Sequence, residues 1–244
     1  PHYSATTVAR VVGADPSTSA YLLRVANSAL YRGVTAVENV ENAVTRLGMD
    51  STRNLVIAHA LRAMFKTRSP HLSRLMRATW RNSARVAALA FVIAKHCPGF
   101  SPDRALLAGL LQDIGVLPLL NALESSDGPL PDPARITDTL DVLAPKAGGV
   151  LLKHWEFDPD IVEVARSRGD WWRISEPGPD LADLVMVAHL HARVGSEDMH
   201  ELPLITELPA FVKLPLEDLG PSESLEFLKA AEADIQELLQ MLGV

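Results

Sequence analysis

Apolar residues recur at spacings of three and four along most of the chain, and no stretch alternates apolar with polar side chains convincingly. The pattern predicts an all-α protein. A short helix over residues 4–12 opens on Ser4 as N-cap and stops at Gly13. Asp15-Pro16 reads as cap and first helical residue, because proline loses nothing where the amide has no partner. The helix that follows carries an apolar face through residues 21–31 and is broken at Gly33. Another ends at Leu47-Gly48, and Asp50 is expected to cap the next, which runs through Leu55, Ile57 and Leu61 to about Phe65.

Ser69-Pro70 opens the longest helix, reaching about Cys97. At about 1.5 Å per residue it spans roughly 40 Å. Leu72, Leu75, Met76, Thr79, Trp80, Ser83, Val86, Ala87 and Ala90 trace its inner stripe, with Asn82 at the edge. Pro98-Gly99 ends it, and Ser101-Pro102 begins a central helix through residues 105–120. That run is almost wholly apolar yet carries one carboxylate, Asp113, on the same track as Leu106, Gly109 and Leu110. A carboxylate so placed is costly unless it is paired, hydrogen-bonded or bound to a cation.

A loop over 123–133 is followed by helices over 135–155, with a break open at Pro145, and over 158–168. The polar connection 169–179 holds Trp171 and Trp172, and a helix over 180–194 comes next. Pro203, Pro209 and Pro215 mark an extended segment. A last amphipathic helix over 222–242 has Leu225, Leu228, Ile235, Leu238 and Leu242 as its apolar residues, which need a partner inside or outside the chain.

Composition narrows the options. The 244 residues, 48% of them hydrophobic, suffice for a sizeable core in one or two domains. A net charge of −7, from 23 basic and 30 acidic residues, argues against a sequence-independent nucleic-acid binder, while leaving a local basic patch open. The single cysteine, Cys97, excludes an intrachain disulfide and fits a reducing compartment, so a cytoplasmic location is expected. No apolar run of membrane-spanning length is free of polar interruption, and no membrane partner is expected. The chain opens on Pro rather than Met, which suggests a portion of a longer protein.

The residues that could carry chemistry are few. A metal at Asp113 needs convergent His or carboxylate ligands, but the histidines are scattered, and His189 and His191 diverge on a helix. The competing use of Asp113 is to fix helix packing through hydrogen bonds. Gly148-Gly149 fits neither phosphate-binding glycine motif and suits a close approach of helices. Arg166, Arg168, Trp171, Trp172 and Arg173 form a basic-aromatic cluster that could grip an anion, a nucleotide or a protein, or could simply be solvated arginines beside half-buried rings. Serine and cysteine have no partner arrangement that would make them nucleophiles.

Three stretches together resemble the HDOD family, the HD-related output domains of bacterial signalling proteins. They are residues 22–31 with 40–48; Thr79-Trp80-Arg81-Asn82-Ser83 with residues 108–115; and residues 148–155. The resemblance implies an N-terminal helical lobe over 1–68, an HD-like helical core over 69–195 and a C-terminal extension over 196–244, often behind a receiver or other sensory domain. Related phosphohydrolases hold metals with a histidine before the central helix, a His-Asp pair on it, further histidines and a final Asp. By spacing, those positions fall here on Asn82, Gln112 with Asp113, about Ala144, about Arg168 and Gly169, and about His189. The resemblance therefore implies a domain without catalytic residues, metal or cofactor. In it Asn82, Gln112, Asp113, Arg168 and His189 make a structural network, and a signal passes through a protein partner in a two-component or related pathway. Arg166, Trp171, Trp172, Arg173 and the last helix are candidates for the partner surface. Two alternatives stay open: a divergent metal-dependent phosphohydrolase using Asp113 and His189 on a nucleotide or cyclic dinucleotide, and a sensor that binds a nucleotide in the vacated pocket.

Overall fold

The computed structural model describes residues 4–31, 33–67, 69–126, 128–196, 199–215, 226–227 and 229–244. It is all-α. The helices are α1 (Ala5–Val12), α2 (Pro16–Ala26), α3 (Val40–Leu47), α4 (Met49–Met64), α5 (Pro70–Lys95), α6 (Pro102–Leu111), α7 (Val116–Glu124), α8 (Pro133–His154), α9 (Pro159–Arg166), α10 (Leu181–Ala192), α11 (Pro209–Lys213) and α12 (Glu232–Leu242). The segment with three prolines holds 3-10 turns at Met199–Glu201 and Ile205–Glu207 before α11, rather than extended chain.

Several helix starts follow from local side-chain chemistry. Ser4, Asp15, Ser69 and Ser101 each accept a backbone N–H three residues on, at 3.2, 2.8, 3.4 and 3.4 Å. Three expectations give way to tertiary contacts. The second helix stops at Ala26 instead of continuing to residue 31, because the Asn27 carboxamide turns across the chain. It donates to the Val37 carbonyl and accepts from the Val37 N–H, both at 2.8 Å. Asp50 caps nothing: Gly48, at φ 81°, redirects the chain from α3 straight into α4, leaving Asp50 inside the first turn. Helix α8 runs through Pro145 without a break.

A further correction concerns the central run. It is two helices, α6 and α7, separated by tight turns at 112–115 whose N–H groups reach back three residues, as from Val116 to the Asp113 carbonyl at 3.0 Å. The turn lets Gly115 press against α8, where an added Cβ would lie 2.0 Å from the Ala144 carbonyl oxygen and 2.4 Å from the Gly148 nitrogen. By length and composition Pro102–Glu124 could cross a bilayer, but 72% of its most apolar window is buried inside the protein, and it serves as core.

Helix α5 is the axis of the larger core. Its C-terminal half is buried nearly all round by α6, α10 and α12, with Gly109 of α6 set against the Ala87 backbone. A smaller core joins α2, α3 and α4 through Leu22, Val25, Ala43, Leu47 and Leu55, while Ala58 and Leu61 of α4 belong to the larger one. Ile235, Leu238 and Leu242 bury the apolar stripe of α12 within the chain, and Lys95 with Asp234 (2.8 Å) ties the helix to α5. The apolar stripe of the described part of this helix is therefore covered within the chain. Its expected beginning at Ser222, Leu225 and Leu228 lies outside the described residues.

Candidate functional site

The turn at 112–115 carries Asp113 into the interior, where it is 1% exposed. Its two oxygens are served differently. Oδ2 accepts from Ser83 Oγ at 2.9 Å, Asn82 Nδ2 at 3.1 Å and Gln112 Nε2 at 3.4 Å. Oδ1 accepts from Arg168 Nε at 2.5 Å. Arg168 follows α9 by two residues and also donates from Nη1 to Asp141 of α8 at 2.9 Å. One carboxylate thus joins α5, the α6–α7 turn and the end of α9, and Arg168 extends the tie to α8.

Burial pushes the Asp113 carboxyl up, but the charge of Arg168, that of His189 when it protonates in acid, and the Ser83 and Asn82 donors outweigh it and hold the group below the usual carboxylate range. Asp113 in turn holds the Arg168 guanidinium above its ordinary value. His189, on α10, is buried and makes no hydrogen bond to the carboxylate; its ring lies 5.1 Å from that of Trp171. Burial drives the imidazole down to about 4, so it is neutral at pH 7.

The structure brings together Asn82, Gln112, Asp113, Arg168 and His189. It adds Ser83 and Asp141, which sequence reading had not assigned to the site. Ser83 adjoins Asn82, and Asp141 lies three residues before Ala144 on the same helix, so proximity in sequence was the available signal. The surface cluster divides. Trp172 is 57% exposed and Trp171 half-buried. Arg166 lies along Gly149, whose missing side chain makes room for it. Arg173 is taken up by internal ion pairs: it is clamped by Asp180 at 2.5 Å, Asp183 at 3.0 Å and Glu163 at 3.2 Å, with its side chain 10% exposed.

These groups do not fit a metal. Asn82 and Gln112 present amide N–H donors toward the carboxylate, and a guanidinium occupies the approach to its other oxygen. No three His, Cys, Asp or Glu side chains converge to hold an ion among the described residues. A nucleotide does not fit either. The cavity between Gln112, Arg168, Met186 and His189 holds about 10 Å³, the threshold for one water molecule. Ligand sites begin at roughly 300 Å³.

The family model of the HDOD domain matches residues 1–170. No protein of curated function matches the sequence. A crystal structure of a Shewanella amazonensis protein, provisionally named a metal-dependent phosphohydrolase, is 27% identical, with a TM-score of 0.77 over 96% of this chain and 86% of that one. A second protein of that organism, provisionally named a phosphohydrolase, is 25% identical, with a TM-score of 0.65 over 98% and 88% of the two chains. An HDOD domain protein from Geobacter sulfurreducens shares the fold at 19% identity, with a TM-score of 0.69 over 99% and 86%. With the family model covering most of its length, the chain belongs to the HDOD domain family.

Proposed function

We propose that this domain is a non-catalytic output module of a bacterial signalling protein and acts by contact with another protein. The observation that carries the reading is the Arg168–Asp113 pair. The one acidic residue retained from the hydrolytic arrangement is neutralised by a buried guanidinium at 2.5 Å, in the place where a catalytic cation would need to approach. The network then has a structural use, since a fully satisfied buried polar cluster fixes one arrangement of the helices around it. The connection 169–179 supplies a surface for a partner. Trp172 is 57% and Ile174 93% exposed, and large apolar side chains standing free beside a rigid core are common anchors in interfaces.

The test separates module from enzyme. The purified chain is analysed for bound iron, manganese and zinc, and is assayed for hydrolysis of nucleotides and cyclic dinucleotides with each metal added. The expected result is no stoichiometric metal and no turnover above that of the Asp113→Asn variant. Metal retained by the native chain and lost from that variant would overturn the reading. Capture of a partner from cell extract should weaken in Trp172→Ala, whose exposed site leaves folding intact.

A further inference from the structure

The chain is acidic overall, but one side of it is not. Arg62 in the last turn of α4, Lys66 just beyond it, and Arg77 and Arg81 on α5 line a cleft of about 510 Å³. Among the described residues no carboxylate pairs with any of the four. Arg77 donates to the Ser73 hydroxyl at 2.5 Å and Arg62 to the Gly243 carbonyl at 3.3 Å, so both guanidinium groups are positioned by neutral partners with further N–H donors to spare. Unpaired cations gathered around a concavity in a protein of net charge −7 form a local field of opposite sign to the whole.

The cleft also has an apolar wall. Phe65, Met76 and Trp80 line it, and the Phe65 and Trp80 rings lie 5.3 Å apart. Trp80 is only 7% exposed, and its indole N–H is buried without any hydrogen-bond partner. Buried donors are nearly always satisfied, and an orphan one on the wall of a cationic cleft calls for an acceptor from outside the chain.

We propose that this cleft binds a soluble organic phosphate. The anionic groups lie on Arg62, Arg77 and Arg81 with Lys66 at the rim, an acceptor atom meets the Trp80 N–H, and the ring or apolar part rests against the edges of Phe65 and Trp80. Arginine suits phosphate because its planar fork can give two parallel charge-assisted hydrogen bonds. The volume lies within the range of small-molecule sites. A nucleic-acid backbone would need only the cations and would leave the apolar wall and buried donor unused. The site shares no residue with the Asp113 network and stands or falls separately from the reading of that network.

The experiment is equilibrium titration of the full chain with pyrophosphate and with ATP at constant ionic strength, followed by tryptophan fluorescence and calorimetry. Both are expected to saturate with Kd below about 1 mM, ATP more tightly because its base reaches the apolar wall. The double variant Arg77→Glu, Arg81→Glu should bind at least about tenfold more weakly with an unchanged melting temperature, since both side chains are exposed. Trp80→Phe, which keeps the wall but removes the N–H, should also weaken ATP binding in calorimetry. The proposal is overturned if neither probe saturates, or if charge reversal leaves affinity unaltered. It is equally overturned if a single-stranded oligonucleotide or anionic vesicles bind this face and ATP does not compete.

Discussion

Removing the Arg168 guanidinium should cost far more than one hydrogen bond. In Arg168→Ala the Asp113 carboxylate, 1% exposed in the native chain, keeps only neutral donors, all on Oδ2: Ser83 at 2.9 Å, Asn82 at 3.1 Å and Gln112 at 3.4 Å. Breaking a buried pair from one side typically costs about 3–5 kcal/mol. The three remaining donors, and the 16% exposure of the Arg168 side chain, place this case near the lower end, at about 3 kcal/mol. For a chain of this size that corresponds to a fall in melting temperature of about 6–12 °C. Asp113→Asn removes the charge from the other side. It should cost less, about 1–3 kcal/mol, because Arg168 keeps Asp141, which is 59% exposed and reachable by water. Replacing both, as Asp113→Leu with Arg168→Met, should recover most of the loss, since apolar groups of similar volume often substitute for buried ion pairs without penalty. Urea unfolding of the native chain, Asp113→Leu, Arg168→Met and their double variant, followed by far-ultraviolet circular dichroism, measures the cycle, with Arg168→Ala and Asp113→Asn unfolded alongside. If Arg168→Ala costs under about 1 kcal/mol, or the double variant is as unstable as the sum of the singles, the guanidinium is not what makes the buried carboxylate tolerable.

His189 gives a pH dependence. Its native pKa, about 4, lies below the ordinary 6.5, so the unfolded chain takes up a proton that the native one refuses. The resulting stability is complete above 6.5 and is lost as pH falls toward 4. Thermal midpoints of the native chain should drop more steeply across that window than those of His189→Gln, and parallel curves would count against it. Gly115→Ala should be among the most damaging single-methyl additions. The new Cβ would meet backbone at 2.0 and 2.4 Å, and overpacking of this kind costs about 1–3 kcal/mol or more. Because Gly115 follows Asp113 by two residues, the same variant should disturb the Asp113 network, visible as altered Arg168 side-chain resonances.

What could be read without coordinates was mostly local. Ser4, Asp15, Ser69 and Ser101 mark helix starts because a short polar side chain reaches its own backbone three residues away, wherever the helix later packs. Gly48 was visible as a stop, but that it also begins the next helix depends on how α3 and α4 cross. The end of α2 was hidden for a similar reason: Asn27 looks like one more helical residue until Val37 arrives from ten positions on to share its amide. The interruption between α6 and α7 is written in neither periodicity nor proline, and the close approach of Gly115 to α8 that it permits is visible only in three dimensions. At the site, spacing could nominate Asn82, Gln112, Asp113, Arg168 and His189 through a family pattern. It could not select Ser83 and Asp141, whose importance arises from which helices meet. The unpaired cations near Trp80 were likewise dispersed between two helices and became a cluster only in three dimensions.

The two arginines on either side of Trp171 and Trp172 have a mechanical consequence. Arg168 is anchored before the pair by Asp113, and Arg173 is anchored after it by Asp180 and Asp183 at the start of α10. A short connection pinned at both ends to interior carboxylates has little freedom left to surrender when something grips Trp172, so docking there carries a small ordering penalty. The indole is thus carried on a segment fastened by two rivets instead of a slack tether.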